Sequence, residues 1–75
     1  MNAQEKKKWA VIAKIYRLKG LPIHPREIAQ QYLGLKEAPR LHDLSAMRLS
    51  RLYLAIQYNL KVAGSDMRKW KKFKI

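Results

Sequence analysis

Two histidines and five carboxylates are all that this chain offers for acid–base chemistry: His24 and His42, with Glu5, Glu27, Glu37, Asp43 and Asp66. His24 stands before Pro25 at a helix start, where it reads as a turn residue. His42 is next to Asp43, but adjacent residues point in different directions on a helix, so the pair does not read as an oriented base. No serine or threonine lies in a nucleophile-elbow setting, and no glycine run resembles a phosphate loop. The chain has no cysteine, and two histidines without thiolates leave too few good ligands for a metal. The expectation is a protein that is not an enzyme, with no catalytic residues, no metal, no cofactor and no small-molecule substrate.

What the residues do support is the gripping of negative charge. There are 17 Lys and Arg against 5 Asp and Glu, a net charge of +12. Residues 1–20 carry six basic side chains and one acidic, and residues 65–75 carry five and one, so the excess sits at the two ends. An imbalance of this size implies a polyanion or an acidic protein surface as partner; it says little about fold. At 100° per residue, Lys6, Lys7, Lys14 and Arg17 share one helical face. Such a face, on a helix about 25 Å long, can contact successive phosphates. In the last stretch, "SDMRKWKKFKI", Trp70 and Phe73 lie among Arg68, Lys69, Lys71, Lys72 and Lys74, a pattern that suits unpaired bases stacked on aromatics with lysines along the backbone. The competing arrangement packs Trp70 into the core and leaves the lysines solvated. In mid-chain, Arg40, Arg48 and Arg51 are the remaining cationic candidates, with His42 and Ser45 beside them; arginine can bind guanine bidentately.

These groups need elements to hold them. The first helix is expected over about 3–19, with Gly20 as a left-handed cap and Pro22 blocking a restart. Trp9, Ile12, Ala13 and Tyr16 make one apolar stripe on it, and Val11, Ile15 and Leu18 an adjacent one. The second helix is expected over 25–33. Pro25 suits its first position, Glu27 suits the positive end of the helix dipole, and Gly34 closes it with Leu35 folding back over the end. Ile28, Ala29, Tyr32 and Leu33 form its inner face, with Arg26, Gln30 and Gln31 outward. After the linker "KEAPRLH", the third helix is expected over about 44–63, capped by Asp43 or Ser45 and stopped at Gly64. One of its faces carries Ala46, Leu49, Leu52, Tyr53, Ile56, Leu60 and Ala63. The nearly opposite face carries Leu44, Met47, Leu54, Tyr58 and Val62. A helix apolar on two sides is sandwiched between neighbours or keeps one side for a partner, and the central, sandwiched place is the expectation. Residues 65–75 form a basic aromatic tail, either a short capped helix with Met67 and Trp70 inward or a segment that orders on binding.

The whole reads as all-α: a small three-helix bundle over residues 1–64 with a basic C-terminal tail. Seventy-five residues hold one core, and a chain this short buries only about 60% of its unfolded surface. No apolar run approaches the ~20 residues that span a bilayer. Lys14 and Arg17 break the apolar segment behind the N-terminal lysines, and no small-residue cleavage site follows, so a signal peptide is not expected. The absence of cysteine fits a reducing compartment, and the expected location is the cytoplasm.

Two resemblances bear on function. "REIAQQYLGLKEAPRLHDLSAMRLSRL" resembles the helix-turn-helix family in its Ile-Ala pair, glycine turn and following helix. It departs in spacing: Ala29 to Gly34 is five residues where the pattern has four, and Pro39 falls near the second helix. If the motif holds, it implies Arg40, His42, Ser45 and Arg48 at base edges. In overall character, "NAQEKKKWAVIAKIYRLKG" and the Lys-rich tail are similar to the small bacteriophage transcription regulators that bind RNA polymerase, of the Xanthomonas phage inhibitor and antiterminator type. That likeness implies a polymerase-binding regulator in a host bacterial cytoplasm, the basic face of the first helix on polymerase and the tail near acidic protein or RNA. A DNA-binding repressor or excisionase-type module and an RNA-binding protein are the alternatives; a membrane-surface role ranks last.

Overall fold

A computed structural model describes residues 2–73, and within them the chain forms three α-helices and two 3₁₀ turns, with no strand. The helices are α1 (Ala3–Arg17), α2 (Pro25–Leu33) and α3 (Ala46–Ala63), and the 3₁₀ turns are Leu41–Asp43 and Met67–Lys69. The all-α, three-helix reading holds. Of the tail residues, Lys74 and Ile75 lie outside the described residues.

Helix α1 begins where the Asn2 carboxamide accepts from the Glu5 backbone N–H at 2.8 Å. Glu5 in the first turn and Lys14 and Arg17 in the last complement the helix dipole. The helix stops at Arg17, two residues earlier than expected. Leu18 turns extended and its N–H closes on the Ile15 carbonyl at 3.1 Å, while Gly20 takes its positive φ in the following loop rather than at the cap. The early stop lets Leu18, Leu21 and Ile23 pack on the core, which continued helix would have swung away.

Helix α2 follows its expected bounds. The His24 imidazole accepts from the Arg26 N–H at 3.1 Å, and Gly34 ends the helix in the left-handed conformation, φ 64°. Leu35 donates its N–H to the Gln30 carbonyl, but its side chain is exposed and does not cover the end. Two side chains expected to point outward instead brace the linker from within α2. The Arg26 guanidinium donates to the carbonyls of Ala38 and Pro39, both at 3.1 Å, and the Gln30 amide to those of Leu35 and Lys36.

Helix α3 starts at Ala46 rather than Leu44, because Ser45 caps it by accepting from the Arg48 N–H at 3.2 Å. Leu41, in the 3₁₀ turn, and Leu44, just after it, precede the helix and are buried, so Leu44 belongs to the core and not to the outer face of α3. The core gathers Ile12 and Ile15 of α1, Ile28 and Ala29 of α2, Leu41 and Leu44, and Leu49, Leu52 and Ile56 of α3. Complete burial of each large member stabilises the fold by roughly 1.5–3 kcal/mol relative to exposure. Trp9 and Tyr16, expected in the inner stripe of α1, are half exposed. Only one side of the helix meets α3, so an apolar arc that wide cannot all be covered.

Candidate functional site

The surface is built from three parts: the outer side of α1, the outer side of α3, and the chain after Gly64 that packs between helices. On α1, Lys6, Lys7, Lys14 and Arg17 are all exposed on the side turned away from the core. None of them makes an ion pair within the described residues. Lys8, which sequence reasoning did not single out, is partly covered and donates to the His42 carbonyl at 3.2 Å.

Other cationic candidates are internally engaged. Arg40 forms an ion pair with Asp43 at 3.0 Å, and Arg68 one with Asp66 at 3.1 Å. His42 Nε2 also meets Asp43, at 3.3 Å, while the i, i+3 alignment of side chains in a 3₁₀ turn sets Arg40 against the same carboxylate. The contact corrects the expectation that His42 and Asp43 diverge. The imidazole is stacked against Trp9 with centroids 6.0 Å apart, and its carboxylate is shared with Arg40, so the group clasps α1 to the turn. Arg48 and Arg51 are exposed on α3, as are Lys69, Lys71 and Lys72 after it.

The segment after Gly64 folds back on the bundle. Asp66 caps the turn at Met67–Lys69, accepting from the Arg68 N–H at 3.2 Å. Trp70 is packed against the core, and its indole N–H donates to the Gly64 carbonyl at 2.9 Å. Of the two arrangements open to Trp70, base-stacking platform or core packing, the fold takes the inward one. Beyond it, Asn59 of α3, fully buried, accepts the Lys71 N–H at 2.9 Å through Oδ1 and donates to the Lys71 carbonyl at 3.0 Å through Nδ2. The Tyr32 hydroxyl donates to the same carbonyl at 2.7 Å while accepting from Asn59 at 2.7 Å. Burial pushes the Tyr32 phenol above its ordinary pKa. Among the described residues no buried side-chain nitrogen or oxygen lacks a partner. Sequence reasoning missed Asn59. The signal was there: a poor helix former in step with Leu52 and Ile56, at i, i+4 and i+7.

Pinning at Lys71 carries Phe73 onto Tyr58, edge to face with ring centroids 5.6 Å apart. Around this pair the second apolar face of α3 is open: Met47, Leu54, Tyr58 and Val62 are between 42% and 62% exposed. The expected sandwiching of α3 is thus overturned; one side faces the core and the other faces solvent.

Residues 34–45 separate α2 from α3, far more than the three or four of a helix-turn-helix. The tight turn does not form, and Arg40, His42, Ser45 and Arg48 are not lined up on one recognition helix: the first two precede α3 and Ser45 is its cap. Among the described residues no cluster of His, Asp and Glu has the makings of a metal site, and no helix is long and apolar enough to cross a membrane. Comparison with known proteins finds no matching family, no matching curated protein and no matching solved structure.

Proposed function

We propose that this chain is a non-enzymatic binding protein that regulates transcription by docking on RNA polymerase, as the phage-type resemblance of its sequence implies. The observation that carries the protein-binding part is the exposed apolar side of α3, where Met47, Leu54, Tyr58 and Val62 stand with Arg51 and Lys61 beside them; the unpaired cations of α1 are a second, separate exposed feature. Protein interfaces pair an apolar, desolvated centre with a polar rim, whereas nucleic-acid interfaces are more polar and more uniformly cationic. On this reading Lys6, Lys7, Lys14 and Arg17 steer the chain onto an acidic polymerase surface, and the docked protein occludes or displaces a functional partner of the enzyme. The polymerase itself is named by the resemblance alone.

The test is capture from bacterial lysate on immobilised protein, with and without nuclease. Recovery of polymerase subunits at moderate salt after nuclease supports the proposal, and the Lys7→Glu, Lys14→Glu double variant should slow association severalfold. Recovery of nucleic acid alone, or tight binding to free duplex with no polymerase retained, rejects it.

A further inference from the structure

We infer that the solvent-facing side of α3 is a docking groove for an acidic amphipathic helix of a partner protein. Met47, Leu54, Tyr58 and Val62 recur at i, i+7, i+11 and i+15, a stripe on the side of the helix turned away from the core positions Leu49, Leu52 and Ile56, with Arg51 between Met47 and Leu54 on the same side. At 1.5 Å per residue the stripe is about 22 Å long, the length of four turns of a partner helix. It is not flat. Phe73, held against Tyr58 by the Asn59–Lys71 pairing, raises one wall of a groove of about 480 Å³. Leu54, Ala55, Tyr58 and Phe73 line it together with the polar side chains of Arg51, Gln57 and Lys61. Interaction of an amphipathic helix with such a groove is read by apolar anchors at i, i+4 and i+7.

The sign of the occupant follows from charge. Helix α3 contains Arg48, Arg51 and Lys61 and no aspartate or glutamate. A second copy of the chain would bring these cations against themselves with no acid on either helix, between two molecules of net charge +12 each. Like charges set opposite each other across an interface act against that pairing. Nucleic acid would satisfy the cations but would leave Leu54 and Val62 facing a phosphate backbone. A helix with leucines on one side and glutamates flanking them satisfies both the stripe and its rim. The inference rests on the reading of this chain as a protein-binding protein, and it does not depend on polymerase being the partner or on the lysines of α1.

The probe is a synthetic 18-residue peptide with leucines at i, i+4, i+7 and i+11 and glutamates beside them. Its controls are a peptide of the same composition with the leucines scattered round the helix, and a single-stranded oligonucleotide. Fluorescence anisotropy should show the phased peptide binding at least tenfold more tightly than the scattered one. Amide shifts should centre on Leu54, Tyr58 and Phe73. Leu54→Glu and Arg51→Glu, both at exposed positions, should each weaken binding tenfold or more with unchanged thermal melting, and Lys7→Glu should leave it within twofold. Equal affinity for the two peptides would overturn the inference, as would preferential binding of the oligonucleotide at these residues. So would a concentration-dependent dimer that Leu54→Glu abolishes. Peptide binding without polymerase capture would leave this groove standing and remove the earlier proposal; polymerase capture undiminished by Leu54→Glu, with no peptide binding, would do the reverse.

Discussion

At the scale of single residues, Asn59 does most to decide what the surface looks like. Its carboxamide substitutes for a neighbouring strand, matching both the N–H and the C=O of Lys71. Each net hydrogen bond is worth about 0.5–1.5 kcal/mol, and stranding a buried partner costs more than the bond itself. Release of the tail to water would relieve part of that cost, so Asn59→Ala should lower stability by about 1–3 kcal/mol. Urea denaturation measures the total. Hydrogen exchange gives the mechanism, because the Lys71 amide should lose protection while Leu52 and Ile56 keep theirs. Tyr32 shares the latch and adds a pH dependence. Desolvation raises its pKa in the folded chain, so the folded state holds the phenolic proton more tightly than the unfolded state does. Its stabilising contribution is therefore complete below the ordinary tyrosine range and is lost as pH rises through that range towards the raised folded value. Ionisation also removes the only donor that Tyr32 offers to the Lys71 carbonyl. Above pH ~10 the wild-type chain should lose stability more steeply than Tyr32→Phe, whose own deficit is largest near neutral pH. Parallel alkaline profiles for the two proteins would show that the phenol is not what couples the latch to pH.

At the scale of elements, local rules and tertiary packing divide the control of helix ends. Gly34 and Ser45 act locally. An alanine at Gly34 would have to adopt φ 64°, which costs an L-residue about 1–2 kcal/mol, and Ser45→Ala should cost about 0.5–2 kcal/mol by removing the cap of α3. Thermal or urea unfolding should rank both above substitutions at exposed mid-helix positions such as Gln57. The same locality made α2 readable from sequence: Pro25, Glu27, the Ile28–Ala29 pair and Gly34 each signal a position through backbone chemistry alone. The end of α1 was not readable in that way. Propensity continues through Leu18 and Lys19 to Gly20, but Leu18, Leu21 and Ile23 reach the core only if the chain leaves the helix at Arg17. The two apolar faces of α3 were likewise visible in its periodicity, yet which of them stays bare depended on where α1 and α2 dock. The cations were legible as a set. That Arg40 and Arg68 spend their charge on Asp43 and Asp66, while Lys6, Lys7, Lys14 and Arg17 do not, is a matter of turn geometry that no spacing rule conveys.

At the scale of the whole molecule, the same excess charge that attracts a partner works against the fold that carries it. The chain measures 38 × 26 × 18 Å. At 0.01 M ionic strength the screening length is about 30 Å, so cations repel one another across the entire body; at 0.15 M it is about 8 Å, and only near neighbours interact. Self-repulsion of a molecule at net +12 destabilises its compact state, since unfolding moves like charges apart. Stability and binding should consequently have opposite salt slopes. Raising sodium chloride from 0.01 to 0.15 M should move the urea midpoint upward, while the association rate with an acidic partner should fall. The Lys7→Glu, Lys14→Glu variant separates the two effects. It lowers the net charge by four, so it should be more stable than wild type at low salt and less sensitive to salt in its urea midpoint, even as it associates more slowly. If that variant were instead less stable at 0.01 M, the cations of α1 would be holding the fold together rather than straining it. Positive charge would then have a structural use, and the case that it is kept for a partner would lose its main physical support.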